Sequence, residues 1–277
     1  MVQECNIEVV GKKIYIKTEE EIELIRKSDL LVSKTLSLMG EMLKPGISGR
    51  ALDKKAEELI RDNGGIPSFK GYQGFPAALC ISVNDAVVHG IPSKVEIKNG
   101  DIVSIDCGVF MNGFHGDAAY TFAVGDVDEE TMDLLRATNK SLYLGIEQAI
   151  AGKRVGDIGY AIQKYTEKTL GYGVVRELVG HGVGKDLHED PEVPNFGKRG
   201  RGPVLKEGMT IAIEPMVNMG TKRVRVLRDG WTIVTRDRKP SAHYEHSVVI
   251  RKKKAELLSN HEIVEESIKN NVNIKQL

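Results

Sequence analysis

The chain has seven histidines, and several stand in unusual local company with acidic residues. His89 lies in VVHGIP. Asp106, His115 and Asp117 lie in IDCGVFMNGFHGDAA, and His181 and His188 in GHGVGKDLHEDP. Glu214 lies in IEPM, and Glu245 between His243 and His246 in SAHYEHSVVI. Asp106 and Asp117 are eleven residues apart with Asn112–Gly113 between them, a hairpin spacing that brings both carboxylates to one face. Carboxylates that close raise one another's pKa or demand a cation. Glu214 and Glu245 add two carboxylates and His181 an imidazole. That set suits a pair of divalent ions, and a water held between ions roughly 3.5–4 Å apart is a strong nucleophile near neutral pH. Thiolate ligands are not needed, so Cys107 is not drawn in merely by following Asp106. His115, His243, His246 and His261 read as ordinary hydrogen-bonded surface or core residues.

The elements that must carry these residues repeat once. Thr18 and Glu21 read as a capping box. The helix they open turns Ile22, Ile25, Val32, Leu36, Met39 and Leu43 inward and is closed by Pro45 and Gly46. A shorter helix from about Ser48 to Asn63 buries Leu52, Ala56, Leu59 and Ile60 and ends at Gly64 and Gly65. The pair recurs. One helix starts near Asp128, carries Leu134, Leu135, Leu142, Ile146 and Ile150, and stops at Ala151–Gly152; the next runs from about Asp157 to Leu170, before Gly171. Gly46 and Gly152 are 106 residues apart, Gly64 and Gly171 107, and KNGDIVSID at 98–106 aligns with KEGMTIAIE at 206–214 at an offset of 108. Each of those two segments reads as a turn feeding a strand buried on both faces, with Asp106 and Glu214 at equivalent strand ends. A buried carboxylate needs a partner; a metal shared between the halves supplies one to both.

The 277 residues suffice for one large core or two closely packed halves. Thirty-nine basic residues balance 39 acidic ones, which points to neither nucleic acid nor a membrane surface as the main partner. The opening MVQECNIEVVGKKIYIK shows no long apolar run and no cleavage pattern. Cys5, Cys80 and Cys107 form no CxxC pair, which fits a reducing cytosol and gives no disulfide framework or zinc finger.

From about Thr18 to Arg251 the chain resembles the bacterial-type methionine aminopeptidases of the wider creatinase/prolidase-like group. The resemblance lies in HGIP, an Asp with a second Asp eleven residues on, HGxGxxxHExP, IEP and a late YEH, in that order. It implies an α+β pita-bread fold, a pseudo-twofold repeat of helix-helix-strand units around a curved antiparallel sheet. A single catalytic domain would span 1–277, with halves at about 18–125 and 126–251 and a short C-terminal extension. The resemblance implies two divalent ions, of Mn, Fe, Co or Zn. Asp106 would bind mainly one ion, Asp117 and Glu245 would bridge both, and His181 and Glu214 would complete the other. His89 would meet the substrate amide nitrogen and His188 the scissile carbonyl. Phe69, Tyr72, Phe75, Cys80, Leu187 and Trp231 would wall a slot for methionine. Leu187 stands where some relatives carry Phe, and His243 where others often carry Gln, so altered outer contacts are expected there. The stretch after Arg251 is expected to pack on the core and then fray.

The reaction so implied is hydrolytic removal of the initiator methionine from nascent proteins when the second residue is small. A metal-activated water attacks, and Glu214 handles its proton. With Val2 the chain fits its own rule. A prolidase- or aminopeptidase P-like activity is the alternative on the same ligands; the compact length and the slot residues argue against it. A non-catalytic peptide-binding homologue is a third reading, opposed by the complete ligand set. The implied partners are N-terminal Met-peptides of nascent chains and, transiently, the ribosome, for which no motif stands out. Neither nucleic acid nor a membrane is required, a monomer suffices, and the expected location is the cytoplasm.

Overall fold

The computed structural model describes residues 14–277; Cys5 and the self-processing site at Met1–Val2 lie outside the described residues. α1 (Glu19–Met42) opens with both bonds of the capping box: the Thr18 hydroxyl accepts from Glu21 N at 3.2 Å, and the Glu21 carboxylate from Thr18 N at 3.0 Å. α2 (Gly49–Asp62) is capped by Ser48 and stops at Asn63. Three strands follow: β1 (Leu79–Val83), β2 (Ile102–Met111) and β3 (Phe114–Val124). β2 and β3 form a hairpin of ten antiparallel pairs, from Ile102↔Ala123 to Met111↔Phe114, and β1 flanks β2. Asn112 (φ +55°) and Gly113 (φ +84°) make the turn, both left-handed, which matches the strand twist.

α3 (Glu129–Ile146) is capped by Asp128, whose carboxylate accepts from Thr131 N at 2.8 Å. It ends before Ile150, contrary to the apolar spacing. Sheet-like partners take over there: Ile150 bridges to Arg251, and Ala151 N and Gly152 N donate to Arg251 O and Leu205 O. α4 (Val155–Gln163) begins ahead of Asp157, because that side chain accepts from Arg154 N at 2.8 Å from inside the first turn. A wider turn over Lys164–Thr169 extends it before Gly171 turns left-handed. The second large sheet has five antiparallel strands: β4 (Gly180–Gly182), β5 (Glu189–Val193), β6 (Thr210–Ile213) and β7 (His246–Val249) in the order β7–β6–β4–β5, with Glu256–Leu257 on the outer side of β7.

The tail does not fray after packing. α5 (His261–Ile268) lies on α1, Asn271 donates to Gly40 O, and β8 (Ile274–Lys275) pairs with Ala123–Val124 of β3. One continuous core joins the two helix pairs to both sheets, running from Leu36, Ile105 and Tyr120 to Leu142, Ile158, Ile211 and Val248. Each such fully buried side chain contributes about 1.5–3 kcal/mol. Among the described residues no helix is long and apolar enough to cross a membrane.

Candidate metal centre

In the hairpin, Asp106 faces Ala119 and Asp117 faces Gly108, so the two acids are diagonal neighbours on one face. Asp106 sits mid-strand and not at a strand end, since the hairpin prolongs β2 by five residues; Glu214 does sit at an end, directly after β6. His181 in β4, Glu214, and Glu245 just before β7 bring the second sheet to the same spot. Glu245 N donates to Ala119 O at 2.9 Å, clipping the two sheets together beside Asp117. Ligand atoms of Asp117, His181 and Glu245 all lie within 4.8 Å of one another. His181 Nε2 is 3.9 Å from Asp117 Oδ2 and 3.6 Å from Glu214 Oε1.

His181 Nδ1 donates to Gly182 O at 2.9 Å, which leaves the Nε2 lone pair facing the acids. Burial holds this ring down to about 3, so it is neutral. The acids move the other way. Burial, partly opposed by His243, pushes Asp106 up to about 7, and burial pushes Glu214 up to about 8. Burial and the surrounding carboxylates push Asp117 and Glu245 well above the usual range. Asp106 Oδ1, Asp117 Oδ1 and Glu245 Oε1 are buried with no hydrogen-bond partner. Orphaned carboxylate oxygens around a neutral imidazole fit a divalent cation, which displaces their protons and becomes their partner.

A cavity of about 350 Å³ opens over these acids. Phe69, Tyr72, Phe75, Cys80, His89, Leu187, His188 and Trp231 all line it. Phe69, Phe75, Cys80 and Leu187 form one buried apolar cluster with Tyr72 and Trp231 at its margin. Phe75 and Trp231 meet edge to face at 5.2 Å. Burial pushes the Cys80 thiol well up, so it presents a neutral wall. His89 has a φ of +57°, a left-handed strain of the kind that gathers at functional sites, and burial lowers its ring to about 4. His188 Nδ1 is 2.8 Å from the Tyr72 hydroxyl, and its ring lies 4.3 Å from that of His181.

The pattern of metallopeptidase family M24 matches residues 23–252, a span that holds all of these acids and histidines. The chain belongs to family M24. A relative named methionine aminopeptidase, from Clostridium perfringens, is 55% identical over 246 residues, covering 89% of this chain and 98% of that one. The crystal structure of methionine aminopeptidase from Rickettsia prowazekii is similar at a TM-score of 0.88 and 38% identity, over 90% of this chain and 100% of that one. The prolidase from Pyrococcus furiosus is similar at a TM-score of 0.72 and 27% identity, over 88% of this chain and 65% of that one. The fold is therefore the pita-bread fold of M24 peptidases, helices packed around curled antiparallel sheet.

Several residues of this M24 site went unmarked in the sequence. Leu178, Val179 and Met216 also line the cavity; Met216 closes the IEPM block, and the other two lead into GHG. His243, read as an ordinary residue but one where altered outer contacts are expected, has its Nε2 buried, without a hydrogen bond, 3.5 Å from Glu214 Oε2. Its signal was its place two residues before Glu245. Asn195 donates to Glu214 O at 2.9 Å. The other histidines lie outside the cavity lining, as expected. His115 contacts the Ser68 hydroxyl at 2.8 Å, and His246 stacks on His261 at 3.7 Å while contacting Ser259 and Tyr143.

Proposed function

We infer that this M24 member hydrolyses the peptide bond after an N-terminal methionine. One observation carries the reading: orphaned carboxylates and a neutral imidazole lie at the base of a cavity with apolar, partly aromatic walls. An unbranched thioether suits such a slot. Asp106, Asp117, His181, Glu214 and Glu245 would hold two divalent ions, of Mn, Fe, Co or Zn. Ions bound there polarise a carbonyl and acidify water.

The rest falls to the chain's own side chains. Glu214, beside the attacking water, is the carboxylate that takes the proton water gives up. With the Tyr72 hydroxyl donating to Nδ1, His188 carries its ring proton on Nε2 and donates it to the scissile carbonyl oxygen as charge grows there. His89, neutral at physiological pH, accepts from the substrate amide. Small second residues are favoured because a wall can reject a larger side chain by collision.

The substrates in this reading are nascent chains in the cytoplasm. The exposed strand Val224–Val226 pairs with the buried strand Ile233–Thr235 next to Trp231. They and their loops carry Lys222, Arg223, Arg225, Arg228, Arg236, Arg238 and Lys239 against Asp229 and Asp237. That basic face beside the cavity supports a transient, salt-sensitive ribosome contact.

The test is methionine release from Met-Ala-Ser by metal-free protein titrated with Mn²⁺, Fe²⁺ or Co²⁺ without oxygen. Release should depend on the ion, and Asp117→Ala should slow it roughly 10³-fold or more. Folded protein that releases no methionine with any of these ions sinks the reading. Cleavage of X-Pro peptides in its place would favour a prolidase, the second reading that the Pyrococcus furiosus structure suggests.

A further inference from the structure

A carboxyl group with no part in the chemistry above lies directly behind Asp117. Asp29 stands mid-way along α1, completely buried. Aspartate disfavours a helix interior, and its burial costs free energy. Its Oδ2 has no hydrogen-bond partner, for the Ser247 hydroxyl donates to Asp117 O at 2.8 Å. What Asp29 does hold is the peptide of Asp117: its Oδ1 accepts from Asp117 N at 3.0 Å.

β3 needs that acceptor. Asp117 pairs with Gly108 of β2, yet its N–H points to α1, and β8 flanks β3 only at Ala123 and Val124. The close approach depends on Gly116, where a Cβ would lie 2.5 Å from Asp29 N. The Asp117 peptide is thus gripped on both sides, its N–H by Asp29 and its C=O by Ser247. A residue set against local propensity, without a full set of partners of its own, marks a place where a local cost serves a site.

We propose that Asp29 is a positioning residue for the metal centre, fixing the aim of the Asp117 carboxylate through its peptide and so setting how tightly a divalent ion is held. The proposal rests on the reading of Asp117 as a metal ligand. Mn²⁺ affinity of the full chain, measured by competition with a chelating dye, tests it without recourse to turnover. Asp29→Ala strips the acceptor from Asp117 N and should lower affinity about ten- to a hundredfold, the usual effect of losing a ligand's outer partner. Asp29→Asn keeps an acceptor oxygen in place and should restore the parent affinity, a rescue that lost helix packing alone would not produce. Equal affinity in parent and Asp29→Ala overturns the proposal, as does a loss in Asp29→Asn as large as in Asp29→Ala. If the alanine variant does not fold, Asp29→Gly asks for no added space and is judged by the same outcomes. A folded parent that binds no Mn²⁺ refutes the metal site itself, and is told apart because no variant is then needed.

Discussion

The two sheets aim their ligands by different means. Asp106 and Asp117 sit inside a continuous hairpin and point where the pleat sends them. Glu214 follows β6, Glu245 precedes β7, and His181 centres a strand of three residues, so these three lie where the chain is free to leave the ladder. Both regions share one device, a glycine beside the ligand. A Cβ on Gly116 would lie 2.5 Å from Asp29 N of the helix behind, and one on Gly180 would lie 2.4 Å from Ala212 O of the neighbouring strand. The hairpin ligand is therefore braced by a helix, and the histidine by sheet backbone. The first brace would meet that Cβ with three backbone atoms within 3 Å, the second with one.

The largest expected effect asks whether the two sheets act as one centre. At pH 6 Asp106, raised to about 7, and Glu214, raised to about 8, hold protons that a cation must displace. Raising the pH removes that competition, while His181, at about 3, stays neutral throughout. Mn²⁺ affinity should therefore climb about a hundredfold or more from pH 6 to pH 8. A flat profile in dye competition would mean that the two acids do not share the ion.

Next come the two braces. Gly116→Ala, whose Cβ would meet three helix backbone atoms within 3 Å, should lower stability by about 3 kcal/mol, and Gly180→Ala, whose Cβ would meet one, by nearer 1 kcal/mol, within the usual range for overpacking. Urea unfolding of the metal-free variants measures both, and equal losses would erase the distinction between the helix brace and the strand brace. The smallest effect lies at the start of the bracing helix. Thr18→Ala removes one cap bond and should cost about 1 kcal/mol or less, with Mn²⁺ affinity unchanged because the cap is remote from Asp117.

Local signals were read well from the chain. Thr18, Ser48 and Asp128 cap their helices because short polar side chains satisfy free N–H groups wherever they stand. The acids stood out through ordered motifs, and the pocket residues only through the family resemblance. Asp29 did not: its partner lies 88 residues away, and in a helix it looks like any solvated acid. His243 was marked only for altered outer contacts, since it takes its pairing with Met216 to put it beside Glu214. Ile150 misled because an apolar residue in helical phase serves a bridge to Arg251 equally well. The tail packs as expected but misled at its end, because the polar stretch around Ile274 conceals a strand that pairs with β3.

β8 covers the outer edge of β3 at Ala123 and Val124, within the buried run Tyr120-Thr121-Phe122-Ala123-Val124. Bared, that run would offer unpaired backbone and β-forming side chains to any neighbouring molecule, the conditions for edge-to-edge aggregation. The tail therefore acts as a solubility guard. A chain cut before Ile274, which bares Ala123 and Val124 but keeps α5, should cluster through β3, and light scattering would register it.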